Sequence, residues 1–208
     1  MSYSYKFYID TCNLLKKSGF YPKTILDIGA NLGFTAKIAQ DTWPDAYLLL
    51  FEANDQCKKY LKKYNCVYKL LGDQNKTVSF YKSKLDLYGS GCSIYKEISD
   101  VYDEKNIIVE TKQVYRLDDC VDRYFDFIKI DTQGSEYDII LGGINTISRS
   151  KVIVVETSVI PTNDGGCSKK QIVDIMTQRM KFDFVDVIEV IFDKNKRILQ
   201  ENLLFIKP

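Results

Sequence analysis

The segment formed by residues 24–35 constrains the fold more than any other part of the chain. It reads Thr-Ile-Leu-Asp-Ile-Gly-Ala-Asn-Leu-Gly-Phe-Thr, which predicts a buried strand that turns at a glycine into a helix. Gly29 and Gly33 allow backbone conformations and close approaches that a β-carbon would block. In open α/β sheets, ligands bind at such a turn, outside the carboxyl end of the first strand. The segment therefore predicts an α/β fold with a binding site near Gly29.

The rest of the chain alternates short β-branched runs with helical patterns, which indicates a mostly parallel sheet with helices on both faces. Further strands are predicted at residues 47–51, 67–71, 77–81, 107–115, 126–130, 151–156, 182–192 and 203–206. Helices are predicted at residues 5–17, 32–40, 55–64 and 135–147. A polar turn at residues 193–196 joins the last two strands, so the final strand should be antiparallel. Because no repeat or linker divides the sequence, we expect one domain over residues 1–208, with an N-terminal helix in 1–20 and the core in 21–208.

Composition excludes several classes of function. The chain has no histidine, which removes serine–histidine, cysteine–histidine and histidine–zinc mechanisms. Its 29 basic and 28 acidic residues give no general attraction to nucleic acid or to an anionic membrane. Its six cysteines form no CxxC pair, and no apolar run is long enough to span a bilayer. We therefore expect a cytoplasmic protein (in the host cytoplasm if the source is a virus) with no membrane partner and no metal.

The spacing of the glycine turn favours a nucleoside ligand without a pyrophosphate. Its Gly-Ala-Asn-Leu-Gly pattern lacks the middle glycine that lets pyrophosphate lie against the backbone of dinucleotide sites. Asp27 suits an ammonium group, Glu52 is placed to accept both ribose hydroxyls, and Asp73 could meet an adenine amino group. S-adenosylmethionine fits these features. The candidate cofactor residues are Asp27, Gly29, Asn31, Gly33, Phe34, Glu52, Ala53 and Asp73.

Two structural alternatives stay open for this segment. The turn at Gly29 could be a plain strand–helix connection, and Glu52 could be an acid that precedes a helix capped by Asn54 or Asp55.

Several motifs together resemble the FkbM-type methyltransferases over about residues 20–190. They lie at residues 27–33, 51–54, 117–119, 128–136, 141–143 and 155–157. The resemblance implies a Rossmann-like class I methyltransferase fold, in which a seven-stranded, mostly parallel sheet has an antiparallel last strand. It also implies S-adenosylmethionine as the cofactor and O-methylation of a sugar, glycan or small metabolite, in some cases beside a glycosyltransferase. Ala53 stands where the family usually has proline.

The segment after the predicted strand at 126–130 supplies the candidates for catalysis and acceptor binding. Asp131 is the first candidate to contact the acceptor hydroxyl, as base or hydrogen-bond acceptor, and Glu156 is the second. Glu136 could bind substrate, or it could belong to a capping-box pattern that begins at Ser135. Two loops, 87–93 and 157–167, are expected to build the acceptor pocket. The candidate substrate residues are Tyr88, Ser93, Gln133 and Glu136.

Three questions stay open at this point. A divalent metal at Asp131 is one, although the sequence shows no paired metal-ligand motif. A methyltransferase acting on nucleic acid or protein is another, although Asp-Thr-Gln-Gly at 131–134 does not match the motif of exocyclic-amine DNA enzymes, which makes nucleic acid an unlikely partner. The third is a nucleotide-binding module without catalysis.

Overall fold

A computed structural model describes residues 5–85, 91–98, 104–160, 162–193 and 195–208 of the chain. Within these ranges the strands are β1 Thr24–Ile28, β2 Tyr47–Phe51, β3 Asn65–Val67, β4 Leu70–Leu71, β5 Lys76–Ser83, β6 Ile107–Tyr115, β7 Phe127–Ile130, β8 Val152–Ser158, β9 Asp183–Phe192 and β10 Ile198–Ile206. The helices are α1 Lys6–Lys17, α2 Phe34–Thr42, α3 Lys58–Leu61, α4 Glu136–Gly142, α5 Ile144–Ile147 and α6 Lys169–Asp174. A π-helical turn, Ile175–Arg179, continues α6. None of the helices in these ranges has the length and apolar character needed to cross a membrane.

Seven strands form the central sheet, in the order β3-β2-β1-β7-β8-β10-β9. The first five are parallel to one another, and β10 runs antiparallel to both of its neighbours. The strand order reverses between β1 and β7, so a crevice opens there at the carboxyl ends of the strands. The expected mostly parallel sheet with an antiparallel last strand is confirmed.

Helices cover both faces of this sheet, because successive strand residues point to opposite sides. Leu26 and Ile28 of β1 pack into one hydrophobic cluster together with residues of α4, α5 and α6. Ile25 packs into a second cluster on the other face, with residues of α1 and α2. We call this second side the α1 face. The functional side chains described below project from it.

A separate three-stranded sheet, with the order β4-β6-β5, lies beside the central one. It explains why the strand expected at residues 67–71 is split. The chain leaves β3 after Val67 and joins the small sheet at Leu70, where β4 pairs with β6. Residues 67–71 look like one strand in the sequence, with Lys69 between apolar residues, but the two ends of this segment belong to different sheets.

Two expected helices are shorter in the structure. The segment at 55–64 forms a 3₁₀ turn, Asp55–Cys57, followed only by the four residues of α3. The helix expected at 135–147 is broken into α4 and α5 at Gly143. A β-carbon on Gly142 would lie 1.9 Å from the carbonyl oxygen of Gly72, so close contact with the β4 strand end requires glycine there. α6 was not expected from the sequence, although Ser168 and Gln171 form a capping box at its start.

Candidate active site

A cavity of about 330 Å³ opens at the carboxyl ends of β1, β2, β7 and β8. This volume is within the range of small-molecule sites. The small sheet closes one end of the cavity, and β9, β10 and the start of α1 close the other. We call these the nucleoside end and the acceptor end.

Backbone contacts of Gly29 hold the turn after β1 against the neighbouring strand ends. Its φ is +81°, and a β-carbon there would lie 1.8 Å from the carbonyl oxygen of Asp131. The amides of Gly29 and Ala30 donate to the carbonyl of Phe51 at 2.9 and 3.1 Å. The turn after β1 is thus fixed against the ends of both β2 and β7, and only glycine fits at this position.

Glu52 lines the nucleoside end, directly after β2. Its carboxylate accepts the amide of Asn31 at 2.7 Å and the amide of Asn54 at 2.6 Å. Burial raises the pKa of Glu52, and these backbone donors act against that rise. Because each carboxylate oxygen has more than one acceptor direction, both oxygens can still accept a hydroxyl from the cavity.

Asp27 lies behind the cavity wall with one carboxylate oxygen unsatisfied. Its Oδ2 accepts the hydroxyl of Thr35 at 2.8 Å. Its Oδ1 is buried, accepts no hydrogen bond from the residues that the structure describes, and lies 3.9 Å from Lys129 Nζ. Burial raises the pKa of this carboxyl, while Lys129 and Thr35 oppose the rise. An orphaned buried acceptor beside a nucleoside pocket fits the ammonium group of an amino-acid-bearing nucleoside such as S-adenosylmethionine.

The other candidate cofactor residues take different positions. Asn31 and Ala53 line the cavity. Gly33, with φ +80°, precedes α2 without lining the cavity, and the Phe34 ring is half exposed and packs on Tyr5 with ring centroids 5.2 Å apart. Asp73 also lies outside the cavity, where its carboxylate pairs with Lys76 at 2.8 Å. The structure therefore gives no support to direct cofactor contacts by Gly33, Phe34 or Asp73.

At the acceptor end, Asp131 is an ionised carboxylate held by a buried lysine. Lys129 Nζ lies 2.8 Å from Asp131 Oδ2, and the lysine side chain is only 5% exposed. Burial acts to raise the pKa of Asp131, but Lys129 together with hydrogen bonds from Glu156 and Gln133 holds it below its ordinary value. The pKa of Lys129 is raised, because Asp131 and Asp27 outweigh its own burial.

Glu156, near the end of β8, is the second carboxyl group at this end of the cavity. Burial and then the charge and hydrogen bond of Asp131 raise the pKa of Glu156 well above its ordinary value. Its Oε2 accepts the amide nitrogens of Gln133 at 2.8 Å and Gln200 at 3.2 Å. The nearby negative charge of Asp131 disfavours the ionised form of Glu156, which adds to the effect of burial. The structure thus brings Asp131, Gln133 and Glu156 together at one point of the cavity wall.

Glu136 lies beneath this point and outside the cavity lining. It is 1% exposed, and its carboxylate accepts the amides of Thr132 at 2.8 Å and Gly134 at 3.0 Å. The capping box proposed at Ser135 is not formed, since the Ser135 hydroxyl donates back to Thr132. Glu136 therefore fixes the turn that presents Asp131 and Gln133, and a direct substrate contact is not supported.

Two loops form hydrogen bonds to the turn at residues 131–135. Ser93 lines the cavity, and its hydroxyl donates to the carbonyl of Gln133 at 2.8 Å. The loop after β8 reaches the turn through Cys167, whose amide donates to Gly134. No described residue of 157–167 lines the cavity, so this loop supports the turn and does not form the acceptor pocket. Tyr88 lies outside the described residues.

Sequence reasoning missed the wall that faces Asp131. This wall comes from the start of α1 and from β9 and β10, and its members are Tyr5, Tyr8, Ile188, Glu189, Gln200 and Asn202. These residues are distant in sequence from the recognisable motifs. The one available signal was the polar run at residues 200–202, which includes Gln200 and Asn202 and interrupts the apolar pattern of β10.

The described residues contain no group of three or more acidic, cysteine or histidine side chains that could hold a metal ion.

One family model and one curated protein match the sequence of this chain. The model of the Methyltransferase FkbM domain matches residues 27–198. Among curated proteins, the 2-O-methyltransferase NoeI of Sinorhizobium fredii (strain NBRC 101917 / NGR234) is 30% identical over 173 residues, which cover 73% of this chain and 70% of that protein.

Solved structures show the same fold at low identity. The methyltransferase FkbM of Methylobacillus flagellatus KT superposes with a TM-score of 0.55 at 15% identity, over 88% of this chain and 43% of that one. The chain therefore spans less than half of that protein. The O-methyltransferase TomG of Streptomyces achromogenes, solved in complex with S-adenosylmethionine, gives a TM-score of 0.54 at 14% identity, over 97% of this chain and 80% of that one.

Proposed function

Because the chain belongs to the FkbM methyltransferase family, whose cofactor is S-adenosylmethionine, we propose that it methylates a hydroxyl of a sugar, glycan or small metabolite. The observation that carries this proposal is the Lys129-bound carboxylate of Asp131, set between the nucleoside end and a polar acceptor end of one cavity. The name of the curated relative, a 2-O-methyltransferase, supports oxygen as the acceptor atom.

The residues of the chain suit a reaction that depends on positioning. When bound, S-adenosylmethionine supplies a methyl group on a positively charged sulfur, which leaves as a neutral thioether. The protein must then hold the acceptor oxygen in line with that methyl group and take up its proton. Glu52 and Asp27 would fix the ribose and the amino-acid tail, while the turn at residues 131–135 would fix the acceptor.

Asp131 is the proposed proton acceptor. It is ionised because Lys129 lowers its pKa, so it can accept a hydrogen bond from the hydroxyl before any bond changes. As the new carbon–oxygen bond forms, the hydroxyl proton passes to the Asp131 carboxylate. Glu156 already holds a proton, so its proposed part is to orient Asp131 through their shared hydrogen bond, together with Gln133.

The reaction is tested with S-adenosylmethionine carrying a labelled methyl group and a panel of hydroxyl compounds, with product masses as the readout. We expect one labelled methyl group on an oxygen of the product. Asp131→Asn should lower kcat by roughly two to four orders of magnitude, as for loss of a general base. Glu156→Gln is the matched variant, since the amide can keep every hydrogen bond of the protonated acid, and it should retain kcat within about tenfold.

Calorimetric binding of S-adenosylmethionine to both variants separates chemistry from folding. If Asp131→Asn binds the cofactor normally and still transfers methyl at the wild-type rate, the role of Asp131 is refuted. If the wild-type chain binds the cofactor but methylates only RNA, DNA or protein, the acceptor class is refuted. If no acceptor is methylated and Asp131→Asn leaves the biological activity unchanged, a non-catalytic nucleotide-binding module is the better description.

The proposal includes the setting of the reaction. All six cysteines are free thiols, which fits a reducing compartment such as the cytoplasm. A sugar acceptor would be the product of a glycosyltransferase, and we propose that the chain works with such an enzyme.

A further inference from the structure

The wall opposite Asp131 is formed by two antiparallel strands near the C-terminal end of the chain. Ile188, Glu189 and Ile191 of β9 line the cavity together with Gln200 and Asn202 of β10. We call these five residues the β9–β10 wall. The reaction proposed above assigns no role to the wall residues except Gln200, whose amide donates to Glu156 and Gln133.

Strand register puts three polar side chains in a row across the α1 face. Asn202 pairs with Glu156 of β8 on one side and with Glu189 of β9 on the other. Directly opposite residues on neighbouring antiparallel strands have β-carbons about 4.5–5.5 Å apart. The row therefore leads from the carboxyl pair at Asp131 directly onto the β9–β10 wall.

A β-bulge in β9 directs neighbouring side chains of the β9–β10 wall into the cavity. Asn202 pairs with Glu189, but the next residue, Leu203, pairs with Val187, so Ile188 has no partner of its own. Regular alternation would put Ile188 and Glu189 on opposite faces, yet both line the cavity. Bulges that redirect side chains are common beside active sites, and this one places an apolar and a carboxylate group side by side.

Free hydrogen-bonding capacity on the wall faces the cavity. Asn202 donates through Nδ2 to Glu189 Oε2 at 3.0 Å. Among the described residues, no side-chain hydrogen bond is formed to Glu189 Oε1 or Asn202 Oδ1 besides this one to Oε2. Both oxygens are acceptors, and they suit a ligand that brings hydroxyl donors.

The rest of the acceptor end is amphipathic and rich in carboxylates. Ile188, Ile191 and the Tyr5 ring offer apolar surface, while Asp131 and Glu189 both face the same space. Burial is the main cause of the raised pKa of Glu189, and the charge of Asp131 adds to it. A sugar ring has both C–H faces and hydroxyl edges, whereas an anionic group would meet like charge here.

We propose that the β9–β10 wall is the acceptor subsite, where Glu189 and Asn202 bind a second hydroxyl of a neutral polyol beside the one that takes the methyl group. This inference rests on the proposed function and adds a requirement to it. An acceptor without the neighbouring hydroxyl leaves Glu189 without its ligand donor and is methylated poorly.

The test uses the full-length protein with methyl glucopyranoside, methyl galactopyranoside and methyl mannopyranoside, and with the monodeoxy derivative of each. Glu189→Gln and Asn202→Ala are compared with wild type. Asp186→Asn is the matched control, because it removes an exposed carboxylate from the same strand outside the cavity. Released S-adenosylhomocysteine gives kcat/KM, and calorimetry with S-adenosylmethionine checks that each variant is folded and binds its cofactor.

We expect wild type to prefer a parent glycoside over the derivative that lacks the neighbouring hydroxyl by about tenfold or more, as for a hydrogen bond to a charged group. Glu189→Gln and Asn202→Ala should lose most of this preference while binding S-adenosylmethionine as wild type does. Asp186→Asn should keep both properties.

Two outcomes would overturn the inference, and they are distinguishable. If Glu189→Gln and Asn202→Ala methylate the parent glycosides with the wild-type preference, the subsite is wrong and the proposed function stands. If wild type binds S-adenosylmethionine but methylates none of the glycosides, the proposed sugar acceptor fails, and the inference fails with it.

Discussion

At the scale of residues, the protonation of the site depends on a few ionisable groups that lie close together with little exposure to solvent. Lys129, Asp27 and Glu156 are buried, Asp131 is partly buried with 29% of its side chain exposed, and the pKa of Glu156 is raised. An isolated buried charge is costly, so each of these groups depends on its neighbours. Replacing one member alters the protonation of the others, and the choice of substitution decides what a mutant measures.

Glu156→Gln should change the pH dependence of stability. Because the pKa of Glu156 is raised in the folded state, the folded protein holds a proton between the ordinary value of about 4.3 and the higher folded value, where the unfolded chain has lost it. Stability contributed by this group therefore falls as pH rises through that window, by up to about 1.4 kcal/mol per pH unit. Glutamine never ionises and should remove this slope.

Urea unfolding of both proteins at several values from pH 5 to pH 8 measures the difference. A buried carboxyl with a raised pKa that does not interact with Glu156, such as Glu52, adds the same slope to both proteins and cancels in the comparison. The advantage of Glu156→Gln should grow with pH. Parallel stability curves would show that Glu156 is ionised in the folded protein.

Glu52→Ala should abolish tight cofactor binding. It removes two acceptors placed for the ribose and also frees the amides of Asn31 and Asn54 that the carboxylate now holds. Loss of two charge-assisted hydrogen bonds predicts a fall in S-adenosylmethionine affinity of about a hundredfold or more. Calorimetry with Glu110→Ala as the control tests this, since Glu110 lies on β6 away from the cavity. Equal affinities would remove Glu52 from the cofactor site.

At the scale of elements, the parts best predicted from the sequence are those whose pattern is local. The strand–glycine–helix unit and the apolar runs of β7 and β8 were recognisable, because burial on both faces leaves a continuous apolar run. Of the two acids proposed as cofactor ligands near this unit, Glu52 lines the cavity and Asp27 lies behind its wall.

The elements that were mispredicted depend on tertiary contacts. Residues 67–71 read as one strand apart from the charged Lys69, but the split between two sheets depends on the pairing of β4 with β6. The arrangement of side chains at the acceptor end depends on the bulge at Ile188. The periodicity of the sequence does not predict this bulge. Asp73 follows an apolar run, as a ligand-binding acid would, but Lys76 is close enough to pair with it.

Gly29→Ala should be far more damaging than Gly19→Ala. Both glycines have positive φ, +81° and +90°, so both substitutions carry a conformational cost of about 1–2 kcal/mol. A β-carbon on Gly19 meets nothing within 4 Å, whereas one on Gly29 would overlap the Asp131 carbonyl. We expect Gly29→Ala to cost more than about 4 kcal/mol in urea unfolding, or to prevent folding. Similar costs for both would mean that the β1 and β7 turns do not touch.

At the scale of the whole molecule, the cavity links both faces of the sheet and both ends of the chain. The start of α1 and the last strand, β10, meet across the same space as the turn after β1. A ligand that fills this space contacts elements that otherwise share few interactions. Binding should therefore stabilise the fold as a unit.

S-adenosylmethionine should raise the melting temperature, and NAD should not. At a hundred times its Kd, a ligand that binds only the folded state adds about 2.7 kcal/mol. For a chain of this size, that corresponds to a rise of roughly 5–11 °C. Differential scanning fluorimetry with equal concentrations of the two compounds measures it. A larger shift with NAD would contradict the nucleoside specificity inferred from the glycine turn.

The bulged wall has a consequence for how this scaffold can change over evolution. A backbone contact between Gly29 and Asp131 joins the nucleoside end to the turn at residues 131–135. A change in the position of one therefore requires a change in the position of the other. Ile188, Glu189 and Ile191 lie on β9, an edge strand that pairs only with β10 in the part of the chain that the structure describes. Substitution of these side chains, or a one-residue shift of the bulge, would leave the residues proposed to bind the methyl donor unchanged. Directed evolution towards new acceptors should therefore concentrate its libraries on this strand.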